Sequence, residues 1–184
     1  MKGSRISSRY AKSLLGLAKE TGKLDRLYTD MKLVSDTCDE SKELSLLLKS
    51  PIVKAGKKIQ ILDEIFYSQL DDMSKSFLEL ITKGGREGML ADIAFEFQEQ
   101  YKREKKIVTA LVTSAYGLDD SLRKKVLKIV KDATNSEVEL VEREEKDLIG
   151  GLILRIGDRQ CDASIQKKLN DLRKSFSEQK ISDN

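Results

Sequence analysis

Along residues 5 to 101 apolar side chains return every three or four positions, and polar or glycine-bearing breaks cut the recurrence into six pieces. Ile6, Tyr10, Leu14, Leu17 and Ala18 form the first stripe, with Ser4 placed to cap it and Gly22 to end it. Leu24, Leu27, Tyr28, Met31 and Val34 carry a second helix to about Cys38, and Leu44 to Leu48 make a short third. Ser50-Pro51 closes that third helix, because proline disfavours helical backbone in the residue before it. Ile59, Leu62, Ile65 and Phe66 mark a fourth helix, Phe77, Leu78, Leu80 and Ile81 a fifth, and Leu90, Ile93, Ala94, Phe97 and Tyr101 a sixth. A stripe of this spacing lies along one side of a helix and must be covered, so the pattern predicts a six-helix bundle over residues 1–105.

The period changes after Lys105. Ile107 to Tyr116 is rich in β-branched and aliphatic residues without a helical stripe, and reads as a strand. Asp119, Asp120 and Ser121 suit a helix N-terminus, and Leu122, Val126, Ile129, Val130 and Ala133 are the stripe behind them. Glu137 to Glu142 partly alternates polar and apolar residues, as a half-buried strand does. Leu148 to Ile156 is an apolar strand interrupted at Gly150 and Gly151, where another backbone approaches closely or the strand bulges. Gly157-Asp158 supplies a hairpin turn, and Arg159 to Asp162 returns. Ser164 can accept from the free amides of a last helix, on which Ile165, Leu169, Leu172 and Phe176 share one face. Residues 106–178 therefore predict a small α+β domain of order β-α-β-β-α, followed by a polar tail over 179–184, and the fold class is mainly α.

The run from Asp147 to Arg173, DLIGGLILRIGDRQCDASIQKKLNDLR, resembles the C-terminal signature of the delta subunit of F-type ATP synthases, the family of the mitochondrial oligomycin-sensitivity-conferring protein. The matching positions are Leu148-Ile149, Gly150-Gly151, Leu152 to Ile156 with Arg155, Gly157-Asp158, and Asp162-Ala163-Ser164. Ala163 stands where the family prefers Gly, Gln160-Cys161 where it prefers aliphatics, and Glu144 where a small apolar residue or Thr is usual. Arg9-Tyr10-Ala11-Lys12, Ser50-Pro51 with Lys57-Lys58 and Ile61-Leu62, and Phe77 to Ile81 before Gly85-Arg86 are similar to the family's earlier motifs, in the same order.

The resemblance implies a non-catalytic connector of the peripheral stalk, which holds the catalytic alpha/beta head static against rotor torque so that ion flow couples to ATP synthesis. It implies one copy per complex, at the cytoplasmic face of the bacterial inner membrane, reaching the membrane only through other subunits. It also implies a groove between the first and fifth helices that receives the N-terminal helix of the alpha subunit. Tyr10, Leu14, Phe77, Leu80 and Ile81 are the corresponding positions here, and bundle core is the alternative for each of them. For the C-terminal domain the resemblance implies contact with the C-terminal end of the b subunit. Ile165, Leu169, Leu172 and Phe176 are then a coiled-coil-like face, or else the stripe that packs this helix on its own sheet.

Charge narrows the partners. Lys and Arg number 34 against 31 Asp and Glu, and the signs alternate along most of the chain, whereas nucleic-acid affinity needs a concentrated basic field. Lys102, Arg103, Lys105 and Lys106 read as solvated helix surface; Lys2, Arg5, Arg9 and Lys12 leave open a partner with acidic residues. A helical nucleic-acid- or ribosome-associated factor is the rival reading that rests on this N-terminal group. With aromatics at 5%, one proline and no tryptophan, composition favours long amphipathic helices over a β-sandwich. The opening MKGSRISSRYAK has neither the apolar core of a secretory signal nor a transit peptide's character.

No catalytic centre, cofactor, metal or small-molecule substrate is expected. The chain has no histidine, and Cys38 and Cys161 are isolated thiols without metal-ligand spacing. Gly84-Gly85-Arg86-Glu87-Gly88 lacks the Lys-Ser/Thr of a phosphate loop and lies between two helices, so its glycines read as a helix end. Glu142, Glu144, Glu145 and Asp147 are interleaved with Arg143 and Lys146, which favours a solvated turn over an acid–base pair or the metal site of a small hydrolase.

Overall fold

The computed structural model describes residues 4–66 and 68–182, with the side chains of the last helix described as far as Arg173. The chain divides into two compact units, Met1–Glu104 and Lys105–Asn184. The first is built from α1 Arg5–Glu20, α2 Leu24–Glu40, α3 Lys42–Lys49, α4 Ala55–Phe66, α5 Asp72–Lys83 and α6 Leu90–Lys105, with a single 3-10 turn, Glu87–Met89, before α6.

Local chemistry sets the helix ends. The Ser4 hydroxyl accepts from the Ser7 amide at 3.1 Å, and Ser41 and Asp71 cap α3 and α5 in the same way. Gly22 and Gly85, at φ +68° and +67°, take the left-handed position after α1 and α5. Past α5 the Gly85 and Arg86 amides fold back onto the carbonyls of Thr82 and Ile81, which closes the helix.

The apolar stripes supply the core, where Leu14, Leu27, Met31, Phe66, Ile81 and Phe97 are buried. Two charged side chains are buried with them. Asp30 on α2 accepts from the Asp71 amide at 2.8 Å and the Ser74 hydroxyl at 2.6 Å, so one helix caps the start of another. Lys23 to Asp71 at 2.9 Å and Arg26 to the Gln69 carbonyl at 2.6 Å extend this clamp. Lys58 on α4 donates to the Leu48 and Ser50 carbonyls at 2.8 and 2.7 Å and to Glu87 at 2.6 Å. Its ammonium thereby satisfies carbonyls at the end of α3 and ties the Ser50-Pro51 turn to the 3-10 turn.

The second unit runs β1 Ile107–Ser114, α7 Asp120–Thr134, β2 Glu137–Glu144, β3 Leu152–Ile156, β4 Arg159–Asp162 and α8 Ile165–Ser182. Strand order is β2-β1-β3-β4, with β1 parallel to β2 and antiparallel to β3, and β3 antiparallel to β4. Alternation along β1 turns Ala110 and Val112 toward Val126 and Val130 of α7, and Leu118, Leu140 and Leu154 complete that core. Helical bundle and small sheet together make the mainly-α architecture that the pattern predicts.

Three strand limits and one helix limit differ from the sequence reading, the strand read as Glu137 to Glu142 running on to Glu144. The strand predicted from Leu148 begins at Leu152, and the one predicted to Tyr116 ends at Ser114. The cause is shared: Ser114 pairs with Leu152 on one side and Glu144 on the other, and beyond that register neither strand has a partner. α8 continues to Ser182, past residue 178 where the sequence reading ends the domain, while Asp183 and Asn184 lie outside the described residues.

Candidate docking surfaces

α1 and α5 lie side by side and antiparallel. At one end the Thr21 hydroxyl meets the Met73 sulfur at 3.9 Å. At the other the Arg86 guanidinium, just beyond α5, stands over the Tyr10 ring at 5.7 Å from its centroid. The opposite side of α1 is occupied by α6, through Gln100 to the Ser8 carbonyl at 3.0 Å and Lys19 to Glu104 at 2.7 Å. Tyr10, Leu14 and Leu17 on α1 and Met73, Phe77 and Leu80 on α5 each form an apolar stripe at steps of four and three.

The five positions expected from the sequence to line a groove differ in exposure: Leu14 and Ile81 are buried, 2% and 1% exposed, Tyr10 and Phe77 are half-buried, and Leu80 is 59% exposed. Leu17 and Ile6, 45% and 41% exposed, are in solvent as well, although both belong to the apolar stripe read from the sequence. A signal for them existed: the apolar residues of α1 wrap about half its circumference, more than the roughly 100° that a core-facing stripe needs. Apolar side chains left exposed on two neighbouring helices suit the apolar side of an amphipathic helix.

On α8 every described side chain from Ile165 to Arg173 is exposed, with Ile165, Leu169 and Leu172 of the predicted stripe at 43%, 43% and 53%. Phe176, the fourth member, lies outside the described side chains.

The glycine and aspartate signature seats the start of α8. A Cβ at Gly151, where φ is +81°, would stand 2.5 Å from the Ala163 carbonyl oxygen, and one at Gly150 would stand 2.8 Å from Ile165 Cδ1. The Ile165 amide donates to the Gly150 carbonyl at 3.0 Å, and the Ala163 amide to that of Leu152 at 2.9 Å. Ser164, buried, caps α8 by accepting from the Lys167 amide at 3.2 Å, and its own amide donates to Asp162 at 2.9 Å. Hydrogen bonds from the Ser164 hydroxyl and then its amide hold the Asp162 carboxyl below the usual carboxylate range. Gly157 and Asp158 make the β3–β4 turn, with Gly157 at φ +56°. These residues orient the start of α8.

The other candidates of the sequence fall into structural places. Glu142 is tied to Arg123 at 2.7 Å, and among the described residues no three Cys, Asp or Glu side chains converge as a metal site. Cys38 is buried and Cys161 exposed, both free; burial, aided by Asp39, pushes the Cys38 thiol up to about 11. Among the described residues no helix is long and apolar enough to cross a membrane.

Residues 6–176 match the family model described as ATP synthase delta (OSCP) subunit. The chain is 36% identical to the ATP synthase subunit delta of Cytophaga hutchinsonii over 181 residues, 98% of this chain and 99% of that one. It is 35% identical to the ATP synthase subunit delta of Christiangramia forsetii, over 96% of this chain and 95% of the relative. Its fold is similar to a chain of the Toxoplasma gondii mitochondrial ATP synthase hexamer, with a TM-score of 0.73 at 21% identity over 94% of this chain and 98% of the other. None of these supports the nucleic-acid-binding alternative.

Proposed function

Because the chain belongs to the ATP synthase delta (OSCP) subunit family, we propose that it ties the catalytic alpha/beta head to the peripheral stalk by two surfaces, one on each of its units. A shaft turning inside the head exerts torque on it, and the head would follow unless a static tether opposed it. The chain supplies binding and stiffness to that tether and makes or breaks no bond itself. One copy serves each complex, at the cytoplasmic face of the bacterial inner membrane, and reaches the membrane only through the other subunits.

What supports the head-binding half is the exposure along α1 and α5, where Leu17 and Leu80 are left in solvent beside buried Leu14 and Ile81; we read this as a trough with the buried pair as its floor. The N-terminal helix of the alpha subunit lays its apolar side there. The α8 stripe of Ile165, Leu169 and Leu172 takes the C-terminal end of the b subunit as a coiled-coil-like face. Two linked contacts raise the effective concentration of each for its partner, so neither has to be tight alone.

Calorimetric titration of the full chain with a synthetic peptide of the same organism's alpha-subunit N-terminus tests the first contact. One-to-one binding is expected, weakened at least about tenfold by Leu80→Asp, because losing a central apolar anchor removes much of such an interface's affinity. With more than half of its surface in water, Leu80 can be replaced without opening the core. Undiminished binding by the variant would put the helix elsewhere, and no binding by the intact chain would refute the contact.

A further inference from the structure

The trough is electrically polar along its length. At the end where α1 begins and α5 finishes the guanidinium groups of Arg5, Arg9 and Arg86 are exposed. Arg86 is held there by stacking over Tyr10 and by donating to the Gly84 carbonyl at 2.9 Å, which fixes its charge at the mouth. At the opposite end, where α1 finishes and α5 begins, Glu20 is exposed and Asp72 is 98% exposed, its contact to Lys75 being a long 3.4 Å. Lys23 at that end is already neutralised by Asp71 at 2.9 Å. Because the two helices are antiparallel their end dipoles oppose one another at each mouth, and the side chains set the sign.

We propose that the trough reads its partner helix by charge as well as by apolar surface: it takes an amphipathic helix with acidic side chains at one end, and lays that end against Arg9 and Arg86. This rests on the head-binding reading and adds a direction to it. Apolar contact alone permits either orientation, since a helix presents a similar ridge both ways round; opposite charges at the two mouths reject the reversed one.

The test uses the full chain, isotope-labelled, with the alpha-subunit peptide carrying a maleimide-linked nitroxide at the end richer in Asp and Glu. Broadening is expected at the amides of residues 8–10 and 84–86. Broadening at residues 20–22 and 72–74 would overturn the charge polarity and leave the trough intact. Broadening outside α1 and α5, or no binding, would overturn the docking reading and this proposal with it. Arg9→Glu, which removes no contact within the fold, is expected to weaken the peptide about three- to tenfold at low salt and by less at high salt. An affinity unchanged by both Arg9→Glu and Arg86→Glu would exclude charge reading, as would a partner helix without an acidic end.

Discussion

Lys58 shows what a single buried charge does for this fold. Its ammonium serves two carbonyls and the Glu87 carboxylate at once, and burial of that carboxylate, which alone would raise its pKa, is outweighed by the Lys58 hydrogen bond and attraction, so that it titrates low. Lys58→Met would leave the carboxylate and both carbonyls without their donor. Chemical denaturation is expected to show a loss of about 3–5 kcal/mol, and Glu87→Gln a smaller one, because the ammonium then keeps its carbonyls. A Lys58→Met protein as stable as the parent would show that the carbonyls find another donor. Lys58 and Asp30 occupy stripe positions, four residues before Leu62 and three after Leu27, yet a reading by apolar period passes over them. Their partners Glu87 and Ser74 are distant in the chain, which is why the pairings were not legible. Adjacent Leu80 and Ile81 carry a related lesson: the period assigns both to the fifth helix, but only the placement of the neighbouring helices decides that one is 59% exposed and the other 1%.

At the level of elements, helices were read with more success than strand limits. A helix announces its ends in its own caps, as Ser4, Asp71 and Asp119 do, whereas a strand ends where its neighbour ends, as Ser114 and Leu152 end one another. The Gly-Gly signature was legible as a close backbone approach, though not as the seat of α8. Two glycines in left-handed conformation separate these roles. Gly85→Ala has open space around it and is expected to cost about 1 kcal/mol, the conformational penalty alone. Gly151→Ala adds a clash with the Ala163 and Ser164 backbone, and is expected to cost more than about 2 kcal/mol or to displace α8. Equal effects in thermal melts, with α8 amide protection unchanged, would refute this distinction.

For the whole molecule, acid is the expected weakness. Asp71 is held low by the Lys23 hydrogen bond and the Met73 amide, Asp119 by the Leu122 amide, Glu142 by Arg123, and Asp162 by Ser164, so carboxylates of both units ionise more readily folded than free. A depressed folded pKa contributes stability above the ordinary values, 3.8 for Asp and 4.5 for Glu, and that contribution is lost as pH falls through the folded value. Tm is therefore expected to hold from neutrality to about pH 5 and to drop below it in both units; a Tm that rises on acidification would reverse the sign. The trough has one more consequence, for assembly. Its floor joins Leu14, near the beginning of the unit, to Ile81, near its end, and its mouth is finished by Arg86. A chain still emerging from the ribosome, cut short, or folded in the wrong order owns only one wall. On the proposed docking, the head is recruited by completed copies alone, and incomplete ones are turned away without any chaperone having to inspect them.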